Sequence, residues 1–339
     1  MTRGRGRRMR TAAEEAEFRR LVDDARERHN LSDIAARYTN LKRRGGTEMA
    51  GLCPFHDERT PSFEVNDAKG SYHCHGCGRG GDAFRFLMEK VGMTFPEAYE
   101  VLSGDEFPVV TEEEKARRKA LDEVETARRI ALARDIWSRT QLAAGTPAEV
   151  YARSRGIEAE LPGSVRFVMT PRWVNRETGE VGRSYPAMAC ALQDASGRVG
   201  GVQCVFLADG GRRKYARTYA DGTQAKAKLT FGVIVGSALR LGPISERIVV
   251  CEGPEDGLTL MQELPGRTVW VACGTALMSR IEIPAGVRAI TLAGDNGEAG
   301  HRAVAQSRTA FLDCGLLVDE VYPAEGYKDW NDELRGIRA

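Results

Sequence analysis

Two residues separate Cys53 from His56, and Cys74 and Cys77 repeat that spacing further on. Three thiolates and one imidazole are the donor set of a tetrahedral zinc ion, and the short spacer folds each pair back onto one metal. Four ligands leave no open position, so one structural zinc is expected. His73 and His75 flank Cys74, and either could in principle replace a cysteine as ligand. Zinc would staple a small domain that cannot build its own core, whatever its surface does. Phe55, Phe63 and Tyr72, with Lys69 and Arg79, allow two readings. They form a base-stacking surface for a single nucleic-acid strand, or Phe63 and Tyr72 fill the ribbon's minimal core.

A second chemistry lies near the C-terminus. Residues 248–251 read as a buried strand that delivers Glu252 at its carboxyl end. A strand over 269–273 leads to Gly274 and Thr275, and one over 289–294 delivers Asp295 at the equivalent point. A helix over about 297–313 and a strand over 317–322 lead to Asp329 and Asp332. Three acidic clusters therefore converge on one sheet edge: Glu252 with Glu255 and Asp256, Asp295 with Glu298, and Asp329 with Asp332. Ligands of open α/β sheets bind at such strand ends. One acid after a strand is usually a solvated cap, but clusters at successive strand ends suit hard divalent ions such as magnesium or manganese. Such ions serve phosphoryl transfer by activating a hydroxyl and stabilising leaving pyrophosphate.

Between the two sites, Arg212, Arg213, Lys214, Arg217, Lys226 and Lys228 crowd a stretch whose one acid is Asp221. Such a stretch is either a solvated turn or a phosphate-binding segment whose contacts are salt-sensitive. Arg3, Arg5, Arg7, Arg8 and Arg10 form a basic arm, again either solvated or touching phosphate.

The elements that must position these residues follow from the rest of the 339-residue chain, which is long enough for two or three domains. Its net charge of +1 hides these local biases. No apolar run approaches a membrane span and no apolar segment follows the charged N-terminus, so a cytoplasmic protein without membrane contact is expected. Cys190, Cys204, Cys251, Cys273 and Cys314 sit in apolar stretches and read as reduced, buried residues. The pattern predicts helices over 12–28, 31–38 and 111–140, and a capping box at Thr94 and Glu97 opens another that ends near Ser103. Thr111 with Glu114 caps the long helix, and Glu113 with Arg117 and Glu114 with Arg118 are spaced to pair along it. Strands are predicted over 165–169, 187–192 and 199–206, and alternating strands and helices beyond 246 predict a mostly parallel sheet. The expected fold class is multidomain α+β and α/β: a basic arm and helix (1–30), a zinc ribbon with helices (31–104), a charged helical linker (105–140), an α+β subdomain (141–245) and a parallel sheet flanked by helices (246–335).

The stretch CPFHDERTPSFEVNDAKGSYHCHGCGRGGDAFRFLMEKVGMTF resembles the CHC2 zinc ribbon of bacterial and phage primases, and the likeness covers about 31–103. That resemblance implies a module that helps recognise single-stranded template DNA. The region 246–335 resembles the Toprim fold shared by primases, topoisomerases and some nucleases. By that likeness Glu252 is the family's glutamate, an acid/base or metal-orienting group. Asp295 heads its Asp-x-Asp motif as metal ligand, and Asp329 in the KDWND segment is a further ligand. The second aspartate of the motif is missing, because position 297 is glycine, and Glu298 is the expected substitute. Lys226 and Lys228 resemble the basic segment that primase cores set beside the sheet to hold nucleotide triphosphate or the template–primer backbone; Tyr151 and Arg155 resemble a helical turn of the same cores, with no chemistry assigned. CHC2 followed by Toprim implies a DNA primase, a DNA-directed RNA polymerase that uses NTPs, zinc and magnesium or manganese. The chain ends soon after KDWNDEL, which suggests a compact form from a phage, plasmid or integrative element that works with a separate replicative helicase. The alternatives are a non-catalytic single-strand-binding or primosome-assembly factor with a degenerate Toprim domain, favoured by Gly297, and a Toprim nuclease.

Overall fold

The computed structural model describes residues 12–45, 48–174, 178, 180–219 and 222–338. Arg3, Arg5, Arg7, Arg8, Arg10 and Asp221 lie outside the described residues. The rest forms two compact units that meet in sequence at Glu125 and Thr126.

The first unit opens with α1 (Ala12–Arg28) and α2 (Leu31–Ala35). Strands β1 (Lys42–Gly45), β2 (Glu48–Gly51), β3 (Phe63–Asn66), β4 (Ser71–Cys74) and β5 (Gly80–Gly81) follow as one antiparallel sheet in chain order. Side chains alternate across a strand, so Phe63 and Val65 of β3 and Tyr72 and Cys74 of β4 turn inward. They meet α3 (Ala83–Val91), whose Phe86 is fully buried, and α4 (Phe95–Ser103) behind it. Asp82 caps α3 by accepting the Arg85 N–H at 2.9 Å, and the predicted Thr94–Glu97 box caps α4. Phe63 and Tyr72 are 0% and 3% exposed, which makes them core and removes both from any base-stacking surface.

Helix α5 (Glu112–Ser138) begins in the first unit and ends in the second. Of its two predicted pairs, Glu114 and Arg118 are joined, while Glu113 and Arg117 are exposed.

The second unit contains β6 (Gln141–Leu142), α6 (Pro147–Ser154), β7 (Val165–Pro171), β8 (Ser184–Gln193), β9 (Val199–Ala208), β10 (Arg213–Lys214), β11 (Lys228–Gly232) and β12 (Ala238–Arg240). It continues with β13 (Arg247–Cys251), α7 (Pro254–Glu263), β14 (Thr268–Val271), β15 (Ala289–Ala293), α8 (Glu298–Asp313), β16 (Leu317–Val321) and α9 (Trp330–Leu334). Strands β6 to β12 pair antiparallel, and β14, β13, β15 and β16 lie side by side in parallel. Three-residue β12 pairs with both β8 and β14, so the two regions expected as separate subdomains share one eleven-stranded sheet.

Strand β13 is buried on both faces, as a central parallel strand must be. Ile248 and Val250 pack with Trp270, Leu292 and Phe311 on one side, and Val249 and Cys251 with Leu258 and Val271 on the other. The strand predicted to reach residue 273 stops at Val271, because Cys273 turns to φ 60° and donates its N–H to the Glu252 carbonyl at 2.9 Å. Among the described residues no helix is long and apolar enough to cross a membrane.

Candidate metal centres and catalytic edge

In the first unit, ligand atoms of Cys53, His56, Cys74 and Cys77 all lie within 4.8 Å of one another. Cys53 Sγ is 3.9 Å from Cys77 Sγ, and Cys74 Sγ is 3.8 Å from His56 Nδ1. Each pair is a tight turn whose N–H points back at its own sulfur: Phe55 to Cys53 Sγ at 3.4 Å and Cys77 to Cys74 Sγ at 3.3 Å. These donors spread the negative charge of thiolates. A side chain at Gly76 would strike the His56 ring at 2.8 Å, so glycine is what admits the imidazole. His56 turns Nδ1 to the sulfurs and Nε2 to Glu58, 3.3 Å away. Glu58 in turn accepts the N–H groups of Cys53 at 2.7 Å and Ser62 at 3.1 Å. Carboxylates that orient a metal-binding imidazole in this way fix its tautomer. Glu58 escaped the sequence reading, where its one signal was an acid two residues beyond a ligand.

His75 bonds instead to Glu64 at 2.9 Å and His73 packs edge-on against it, which leaves both outside the ligand group. The donor set and mutual distances fit tetrahedral zinc. Nearby, half-buried Phe55 packs against Phe63, Tyr72 and Phe86, the exposed Arg79 guanidinium stands 5.2 Å over its ring, and Lys69 is 4.0 Å from Asp122.

In the second unit the carboxyl ends of β13 and β15 deliver Glu252 and Asp295, as predicted. Asp329 caps α9 by accepting the Asp332 N–H at 2.8 Å, and Asp256 in the first turn of α7 accepts the Asn331 N–H at 3.1 Å. Asp295 Oδ1 is buried and makes no hydrogen bond among the described residues. Burial, with Glu252 and Asp329 nearby, pushes its carboxyl up to about 6. Burial, Asp295 and Asp329 likewise push Asp256 up to about 8. Asp295 thus carries an unpaired oxygen in the repulsive field of Glu252, Asp256 and Asp329, and a hard divalent cation would relieve it; among the described residues these acids do not gather as closely as the zinc ligands do.

Asn296 fixes this geometry. Its side chain donates to the carbonyls of Tyr327 at 2.7 Å and Pro323 at 3.0 Å, and its N–H to Lys328 at 2.8 Å. Glu298 does not join the group: it is exposed, pairs with Arg302, and opens α8. Gly297 before it has φ 117° and ψ 160°, which a side chain rarely adopts.

The basic stretch divides. Lys214 Nζ lies 2.8 Å from Glu255 Oε1 and Lys228 Nζ 2.7 Å from Glu255 Oε2. Arg213 pairs with Asp209, Arg217 stacks over Tyr219, and Arg212 and Lys226 are exposed. Tyr151 also donates to Glu255 at 2.8 Å and receives a bond from Arg155 Nε at 3.2 Å.

Residues 18–119 match the family model of the CHC2 zinc finger, 127–241 that of a domain of unknown function, and 247–337 that of the Toprim domain. A DNA primase of Enterococcus faecalis is 35% identical over 162 residues, 45% of this chain and 25% of that protein. A DNA primase of Streptomyces coelicolor is 28% identical over 336 residues, 88% of this chain and 50% of that protein. The chain therefore spans a quarter to half the length of these two relatives. The crystal structure of the Aquifex aeolicus primase (zinc-binding and RNA polymerase domains) aligns with a TM-score of 0.41 and 20% identity, over 93% of this chain and 82% of that one.

Proposed function

We propose that this chain, which belongs to the family of DNA primases built on a CHC2 zinc finger and a Toprim domain, synthesises short RNA primers from NTPs on a single-stranded DNA template. The observation that carries the reading is the unpartnered, buried Oδ1 of Asp295 among Glu252, Asp256 and Asp329. These acids call for a cation, and they lie in the same unit as a pair of lysines suited to phosphate.

In this reading Asp295 is the principal metal ligand, with Asp329 and Asp256 completing the set in place of Glu298. These residues would hold a divalent ion, magnesium or manganese, and such an ion would supply positive charge for the 3′-hydroxyl and the pyrophosphate. Glu252 accepts the hydroxyl proton or orients the ion. Lys214 and Lys228 hold the triphosphate, while exposed Arg212, Arg213, Arg217 and Lys226 follow the template backbone through salt-sensitive contacts. The zinc ribbon reads the template with exposed Arg79 and Lys69, the first of them backed by half-buried Phe55.

The test is primer synthesis on single-stranded templates with labelled NTPs and magnesium or manganese, comparing wild type with Asp295→Ala and Glu252→Ala. Short RNA made by the wild type and by neither variant is expected. No product on varied templates, with DNA binding intact, would overturn the reading in favour of a primosome-assembly factor, which the glycine at 297 would then explain.

A further inference from the structure

Glu255 stands next to Asp256 and three residues after Glu252, yet its side chain belongs to a different cluster. Each of its oxygens is taken by one lysine, Lys214 at 2.8 Å and Lys228 at 2.7 Å, with Tyr151 as a third donor. Only 7% of the Glu255 side chain is exposed, against 30% for Lys214 and 35% for Lys228, so the lysines stand between the carboxylate and solvent.

The strands explain why these two lysines meet. Lys214 sits opposite Leu207 and Lys228 opposite Val205. Positions 205 and 207 lie two apart on β9 and share a face, and both pack in the core that contains Tyr151 and Leu258. Both lysines therefore project to the side where α6 and α7 pack, whereas Arg213, one residue away, points elsewhere.

Two ammonium groups repel, and a buried ion pair needs only one of them to balance the charge. Buried ion pairs are weak devices for stability, since desolvation offsets most of their attraction. Arg155, reaching Glu255 through Tyr151, adds a further cation. Glu255 thus gathers two ammonium groups on one carboxylate, while Asp256 shares the charge of Lys228 and Asp332 that of Arg155. Each ammonium carries three N–H donors and uses one on Glu255.

We infer that Glu255 is a positioning residue that holds Lys214 and Lys228 side by side as a two-cation cradle for the polyphosphate of the incoming nucleotide. The inference rests on the primer-synthesis reading for the identity of the nucleotide, but its physical content is polyphosphate binding.

The experiment titrates the full chain with inorganic tripolyphosphate by calorimetry, without divalent metal, and measures NTP kinetics on a single-stranded template in parallel. Glu255→Gln should weaken tripolyphosphate roughly tenfold and raise KM for NTP by a similar factor, with kcat and single-strand affinity little changed. A merely structural role would lower all of these together. If the glutamine variant does not fold, Glu255→Asp carries the test, because it keeps the charge but is one methylene too short to span both lysines. Wild-type affinity in either folded variant overturns the inference, as does a wild-type chain that binds no tripolyphosphate. A wild type that binds it and makes no RNA would overturn the primase reading and leave the cradle standing.

Discussion

Asn296 and Tyr327 are joined by a 2.7 Å hydrogen bond from side-chain amide to main-chain carbonyl, which ties the loop bearing Asp295 to the loop bearing Asp329. The Asn296 amide also reaches Pro323, so one side chain sets the separation of two acids that repel. Asn296→Ala should cost about 1–3 kcal/mol of stability. Metal-dependent synthesis should drop by roughly 10–100-fold, as for other groups that orient ligands. Zinc content, held in the other unit, should not change. Manganese titration followed by thermal shift checks the first point, and unaltered manganese affinity would show that the loops hold their places without Asn296.

The zinc ligands and the order of strands and helices were legible in the sequence because both rest on local spacing. Cys53, His56, Cys74 and Cys77 are set by short turns, and β13, β15 and α8 by runs of apolar residues with the right period. What was not legible depends on partners distant in the chain. Glu255 read as one more acid near Glu252, and its turn toward Lys214 and Lys228 follows only from the register of β10 and β11 on β9. Glu298 read as a substitute ligand by adjacency, whereas a helix-opening residue beside a glycine with φ 117° faces solvent and finds Arg302. The subdomain boundary near residue 245 was invisible as a continuous sheet because β12 is too short to announce itself.

Glu58 should govern zinc affinity without being a ligand. Its bonds to His56 Nε2 and the Cys53 N–H orient two ligands at once. Glu58→Ala should therefore weaken zinc by roughly 10–100-fold in competition with a chromophoric chelator. His73→Ala and His75→Ala should each retain about one zinc per chain. Loss of zinc in either histidine variant would mean that the ligand group is wrongly drawn.

Asp295→Asn should make the metal-free chain more stable while it abolishes function. The aspartate leaves an oxygen buried without a partner among the described residues and sits beside Glu252 and Asp329, a cost that a bound cation would offset. An amide removes the repulsion, for a gain of about 1–2 kcal/mol in chelator. Divalent metal should then raise the melting temperature of the wild type and leave the variant unmoved. A variant less stable than wild type in chelator would indicate that Asp295 has a structural partner.

Restoring the family's second aspartate should fail. Gly297 has φ 117° and ψ 160°, a conformation essentially confined to glycine, and nothing lies within 4 Å of where a Cβ would stand. The obstacle is thus the backbone and not a clash, and Gly297→Asp and Gly297→Ala should lose the same amount, about 1–3 kcal/mol. If the loop relaxes to relieve that strain, it must drag Glu298 and the first turn of α8 with it, since the His301 N–H bonds to the Gly297 carbonyl at 3.0 Å. The aspartate variant should accordingly bind manganese no more tightly than the alanine variant and synthesise no more primer than wild type. Tighter metal binding by Gly297→Asp at undiminished stability would mean that the glycine marks a lost ligand and not a fixed turn, and that the carboxylate set around Asp295 is incomplete.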